Sequence, residues 1–179
     1  MKKSLLLMLA GLFTLFVFVG CQPFGKNLSG NKSTPLPPDI TGIWQADDAP
    51  WRITLNPDGT IASAIIPMCE VEVRPNHTTK VEMLDGKFST FNAGDFIAEY
   101  TPDTRQLYVS VEIKHLRVIF QDNRIEGNNL DKFIGTVSED GKLWIVDWLR
   151  FFDYGPAFPQ DQDNIDEILG QLVFTKVED

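Results

Sequence analysis

Two cysteines and two histidines are all the thiol and imidazole chemistry in this chain of 179 residues, and their spacing narrows what it can do. His77 and His115 lie far apart, and neither has an aspartate or cysteine at ligand spacing, so neither a zinc-type site nor a Ser-His-Asp arrangement is supported. Both read as surface residues. Cys69 is in phase with Val71 and Val73, which suits a small buried hydrophobe better than a reactive thiol. Asp161, Asp163, Asp166 and Glu167 suggest calcium, but an EF-hand loop needs an oxygen ligand where Ile165 stands and glycine where Asp166 stands. Acidic residues at a helix start are stabilised by the helix dipole without any metal. No nucleophile, base and orienting group come together. The reading is therefore of a non-enzyme with no cofactor and no metal.

The aromatic residues offer binding rather than bond-breaking. Trp44, Trp51, Tyr108, Trp144 and Trp148 are candidate ligand-binding residues, because an indole presents a large apolar face with a single donor. The same tryptophans serve equally well as plain core. Asp147 lies between Trp144 and Trp148 in an otherwise apolar segment. It is either a buried carboxylate with a raised pKa or a cation's partner, or else an ordinary residue of an outer face.

Cys21 is placed by what precedes it. Met1-Lys2-Lys3, the apolar run from Leu5 to Val19 and the small Gly20 have the layout of a secretory signal, and the run is short for the roughly twenty residues of a membrane span. A retained transmembrane helix is the competing reading. Phe18-Val19-Gly20-Cys21 resembles the lipobox of bacterial lipoproteins, which implies cleavage before Cys21 and fatty acylation of its sulfur and new amino terminus. Buried acyl chains contribute about 0.8 kcal/mol per methylene, so two or three hold a protein stably and Cys21 alone anchors it to a membrane. In Gram-negative members of that class an aspartate after the cysteine retains the protein at the inner membrane. Gln22 at that position implies the outer membrane, facing the periplasm or the surface, within a bacterial cell envelope.

Removing residues 1–20 takes away Lys2 and Lys3 and makes the formal charge of −9 more negative by two. Such a body repels phosphate backbones, which excludes nucleic acid as a partner. With Cys21 acylated, Cys69 is the only thiol, so no intramolecular disulfide forms and the fold must rely on its core. Residues 21–38, rich in Pro, Gly, Ser and Asn, read as a lipidated cysteine and flexible tether, and residues 39–179 as a single domain.

From Asp39 the pattern has period two. Trp51, Ile53 and Leu55 alternate with polar residues, Pro57-Asp58-Gly59 supplies a turn, and Ile61 to Ile66 continues. Leu107, Val109, Val111 and Ile113 form the clearest half-buried strand, with Leu116, Val118 and Phe120 after it. Phe133 to Val137 and Leu143 to Trp148 flank Glu139-Asp140-Gly141, a turn that favours a hairpin. Asp161 to Leu169 has helical spacing with Gly170 as a stop, which predicts one short helix, and Leu172 to Val177 a final strand. The fold class is all-β. About ten tightly linked strands must close on themselves to protect their edges, as an antiparallel up-and-down barrel or a sandwich.

Gly42-Ile43-Trp44 resembles the Gly-x-Trp of lipocalin-like (calycin-type) barrels, where the tryptophan closes one barrel end, and the order of hairpins, late helix and last strand is similar over about residues 40–178. The resemblance implies an up-and-down barrel that takes a small apolar ligand. The alternative is an interaction protein, an inhibitor or scaffold, that meets an envelope partner through the apolar run from Trp144 to Phe158, with Leu149, Phe151, Phe152 and Tyr154.

Overall fold

A computed structural model describes residues 34–83, 86–120, 123–155 and 168–178, all within a compact unit spanning Ser33–Asp179. The described strands are β1 (Gly42–Ala46), β2 (Arg52–Leu55), β3 (Ile61–Ile66), β4 (Val71–Val73), β5 (Thr78–Glu82), β6 (Phe88–Thr101), β7 (Gln106–Phe120), β8 (Asn123–Val137), β9 (Leu143–Asp153) and β10 (Ile168–Val177). Their order in the sheet is β4-β3-β2-β1-β10-β9-β8-β7-β6-β5, and every pairing is antiparallel. Chain neighbours pair and β10 returns to β1, so the sheet curls into a nearly closed up-and-down barrel. The seam lies between β4 and β5, which share no ladder. Across it Thr79 Oγ1 donates to the carbonyl of Glu72 at 3.3 Å.

Local chemistry explains the hairpins. In the β2–β3 turn Asp58 Oδ1 accepts from the amide (2.9 Å) and hydroxyl (2.6 Å) of Thr60, and Gly59 takes φ +82°, a conformation costly for any residue with a Cβ. The period-two pattern puts one phase of each strand inside the barrel. Where the phase changes, the ladder bulges: between Ile113 and Leu116 of β7 the register shifts, so that both remain buried although three residues apart.

One end is closed, and it is called the lower end. Here the segment before β1 crosses the barrel, with Leu36 N donating to Pro57 O at 3.1 Å and Ile40 wholly buried. Trp44 Nε1 donates to Ile40 O at 2.9 Å. Arg105 straps the same end, donating to Asp39 Oδ2 (3.0 Å), Val137 O (3.1 Å) and Ser138 O (2.7 Å). Above it Trp44, Trp144, Phe174, Phe133 and Trp51 form one buried aromatic cluster, with Trp144 on Phe174 at 4.9 Å and Trp51 edge-on to Phe133 at 4.9 Å. Each such pair contributes about 0.5–1.5 kcal/mol beyond its burial.

Two expectations are corrected, and a third falls mostly outside the described residues. The fold begins before Asp39, because Leu36 is buried against the β2–β3 turn and so belongs to the barrel, not to the tether. Of the expected helix from Asp161 to Leu169, residues 161–167 lie outside the described residues, while Ile168 and Leu169 are already in β10. Gly170, the expected stop, sits at a bulge within β10 and pairs with Trp148, because Ile168 onward pairs with the long β9. Cys69 is exposed, not buried. It lies in a 3-10 turn, Met68–Glu70, where Cys69 and Glu70 both take positive φ (+63° and +47°) and break the alternation that Val71 and Val73 follow. The expected signal, residues 1–20, and residues 21–33 of the expected tether lie outside the described residues.

Candidate functional site

β8 and β9 are long enough to carry two kinds of interior. Toward the lower end their inward residues are aromatic and aliphatic: Phe133 and Val137 on β8, Trp144 and Val146 on β9. Toward the upper end the same two phases continue as Asn129 and Asp131 on β8, opposite Phe152 and Arg150 on β9. A charged pair therefore stands where alternation calls for apolar side chains.

Asp131 is completely buried and Asn129 is 6% exposed. Asp131 Oδ1 accepts from Trp148 Nε1 and from Arg150 Nε, each at 2.8 Å, while Oδ2 accepts from Asn129 Nδ2. Burial pushes the Asp131 carboxyl pKa up; the charge and hydrogen bond of Arg150, then Trp148 and Asn129, pull it back. Both oxygens are engaged as acceptors, as an ionised carboxylate requires. Arg150 lies over the Trp148 ring, 4.8 Å from its centroid, and keeps 20% of its side chain exposed. Among the described residues only its Nε is committed, which leaves its terminal amines available as donors. Asn129 Oδ1 and Trp51 Nε1 are buried with no hydrogen-bond partner among the described residues. Tyr154 lies within electrostatic reach of both Arg150 and Asp131, its phenol pKa raised chiefly by burial, and its ring stacks on Phe152 at 4.6 Å.

Of the candidate binding residues, Trp44, Trp51 and Trp144 lie fully inside the barrel and Trp148 half-buried beside the ion pair. Tyr108 does not join them. It is in the outward phase of β7, next to Ser110 and Glu99, with burial raising its phenol pKa. Asp147 is also outward and exposed, one step out of phase with Val146 and Trp148, which decides between its two readings. The alternation parts Phe151 from Phe152: Phe151 lies under Lys132 Nζ at 4.6 Å, while Phe152 stacks on Tyr154. Residues 156–158 lie outside the described residues. His115 is 3.5 Å from Glu126 Oε1 at the surface, and His77 Nδ1 meets Pro75 O at 2.7 Å.

The sequence reading missed Asn129, Asp131 and Arg150. A signal existed: Asp131 is two residues from Phe133, and Arg150 is an even number of residues from Trp144, each sharing the phase of a buried aromatic.

An open groove of about 510 Å³ lies at the lower rim, lined by Pro38, Ile43, Asp140, Lys142, Lys176 and Glu178 among others. Its charges are already paired, Lys142 with Glu178 at 2.9 Å and Lys176 with the carbonyls of Pro38 and Asp39. It leaves little for a ligand to satisfy. Among the described residues no three His, Cys, Asp or Glu side chains gather as metal ligands. In comparisons with known proteins, no family model, no curated protein and no solved structure matches this chain.

Proposed function

We propose that this chain is a lipid-anchored protein of the bacterial cell envelope whose lipocalin-like barrel binds a small hydrophobic ligand. One observation carries the reading: a buried carboxylate, a reachable guanidinium and an unpartnered amide oxygen are set into a mostly apolar barrel interior. A buried ion pair is commonly no more stabilising than apolar residues of the same volume, so its presence there is best understood through what it orients. Binding sites of small ligands have this composition, mostly apolar with a few placed polar groups. The position of Trp44 at the closed end supports the lipocalin-like resemblance. The test is organic extraction of the purified full chain followed by mass spectrometry. A reproducible apolar species near one per protein is the expected result, and a clean extract from protein never exposed to detergent exchange would count against it.

A second reading, a non-enzymatic interaction, inhibitor or scaffold lipoprotein, has a different observation in its favour. Leu143, Ile145 and Val177 are 40%, 46% and 39% exposed on the outer faces of adjacent β9 and β10. Chemical crosslinking in the envelope, with and without Leu143→Ser and Ile145→Ser together, tests it: a specific adduct lost in the variant is expected, and an unchanged pattern removes this surface from consideration.

A further inference from the structure

We infer that the upper barrel interior recognises a neutral head group that both donates and accepts hydrogen bonds, as a primary amide does, and discriminates against anionic amphiphiles; this rests on the ligand-binding reading above. The juxtaposition is of Asn129, Asp131, Trp148 and Arg150 on the facing inner phases of β8 and β9.

The charge balance comes first. Arg150 alone would be an anion receptor, since its free amines point no hydrogen bond at any described residue. Asp131, however, is wholly buried and holds Arg150 Nε at 2.8 Å, so the pair is already neutral. A carboxylate, sulfate or phosphate added there would leave an uncompensated negative charge in a low-dielectric interior next to the Asp131 carboxylate. A cation would instead meet the guanidinium. A neutral group meets neither penalty.

The hydrogen-bond balance comes second. The open valences are of two kinds, donors on the terminal amines of Arg150 and an acceptor at Asn129 Oδ1. The amide is oriented in that sense because Asn129 Nδ2 donates one of its two N–H groups to Asp131 Oδ2. A head group that only accepts, such as a methyl ester, satisfies Arg150 and leaves Asn129 Oδ1 buried and unpaired. A primary amide satisfies both. Beside the polar group the Trp148 ring, and above it the stacked Phe152 and Tyr154 rings, supply the apolar wall against which a chain would lie. The 20% of its side chain that Arg150 keeps exposed gives a ligand a route to the guanidinium.

The experiment offers the full chain, purified in a non-ionic detergent at pH 7.5, an equimolar mixture of oleamide, methyl oleate and oleyl sulfate, whose sulfate stays ionised. After gel filtration the retained amphiphiles are quantified by mass spectrometry against identical protein-free micelles. Oleamide is expected to be retained at least about tenfold over each competitor. Equal or better retention of oleyl sulfate overturns the charge argument, and equal retention of methyl oleate overturns the hydrogen-bond argument, while in both cases ligand binding itself stands. Retention of none of the three above the blank overturns the binding reading as well. Asp131→Asn, which leaves Arg150 uncompensated, is expected to invert the preference toward the sulfate. Asn129→Leu keeps the ion pair, and so covers the case in which Asp131→Asn does not fold; it is expected to erase the amide-over-ester preference, and a preference that survives it contradicts the role given to Asn129.

Discussion

Asp131 does more to define this molecule than any other single residue, and its two roles can be separated by substitution. Asp131→Asn leaves the Arg150 guanidinium mostly buried without its counter-charge and is expected to cost about 3–5 kcal/mol, measured as a shift in denaturant midpoint at constant slope. Replacing both partners, as Asp131→Leu with Arg150→Met, is expected to be neutral or to stabilise by about 1–4 kcal/mol. A double variant as unstable as the single one would make the pair structural rather than functional. The pH dependence has a definite sign. With its folded pKa raised above the ordinary value, Asp131 binds its proton more tightly folded than unfolded. Its contribution to stability is therefore fully present below the unfolded pKa and is lost as pH rises through the folded one. Between pH 7 and pH 4 the melting temperature of the wild type, relative to the non-titrating Asp131→Asn, should shift in the wild type's favour; a shift the other way would mean a depressed folded pKa. None of this was legible from residue type alone. A carboxylate in an alternating strand normally marks the wet face; the apolar neighbours of Asp147 drew attention to that residue, which is exposed, rather than to Asp131, which shares the phase of Phe133.

At the scale of elements, the legible part was whatever alternation and turn chemistry control. Hairpins at Asp58-Gly59 and Asp140-Gly141 and the strands Ile61–Ile66 and Leu107–Ile113 follow directly from period two and positive-φ glycines. The bulges were not legible, since a one-residue phase slip needs the partner strand to define it, nor was the reach of β10 back to Ile168. The β8–β9 ladder, which carries the polar site, depends on a close approach at Gly135. A Cβ there would meet the carbonyl oxygen of Ile145 at 1.9 Å, a backbone atom that cannot rotate away. Gly135→Ala is expected to destabilise by about 1–3 kcal/mol or more, whereas the exposed neighbour substitution Thr136→Ala should stay within about 0.5 kcal/mol. Thermal melts of the two proteins, run side by side, check this; equal melting temperatures would show that the ladder relaxes freely around the added methyl.

For the whole molecule, the barrel is filled at one end and chemically differentiated at the other. The strap of Leu36, Ile40 and Arg105 and the aromatic cluster make the lower end solid, so a ligand inside the barrel would have to sit in the upper half. That division could not be read from composition, because the same four tryptophans serve a filled or a hollow barrel. The anchor belongs to this scale too. Under the lipoprotein reading Cys21→Ser should move the protein from the membrane to the soluble fraction on ultracentrifugation, and a variant that stays membrane-bound and uncut would restore the transmembrane reading of residues 5–19. The central claim, that the buried polar pair exists to hold a small hydrophobic ligand, is tested most directly by native mass spectrometry of the full chain beside the Asp131→Leu, Arg150→Met double variant. The wild type should carry one bound apolar species and the folded double variant should not; identical spectra from the two proteins would contradict it.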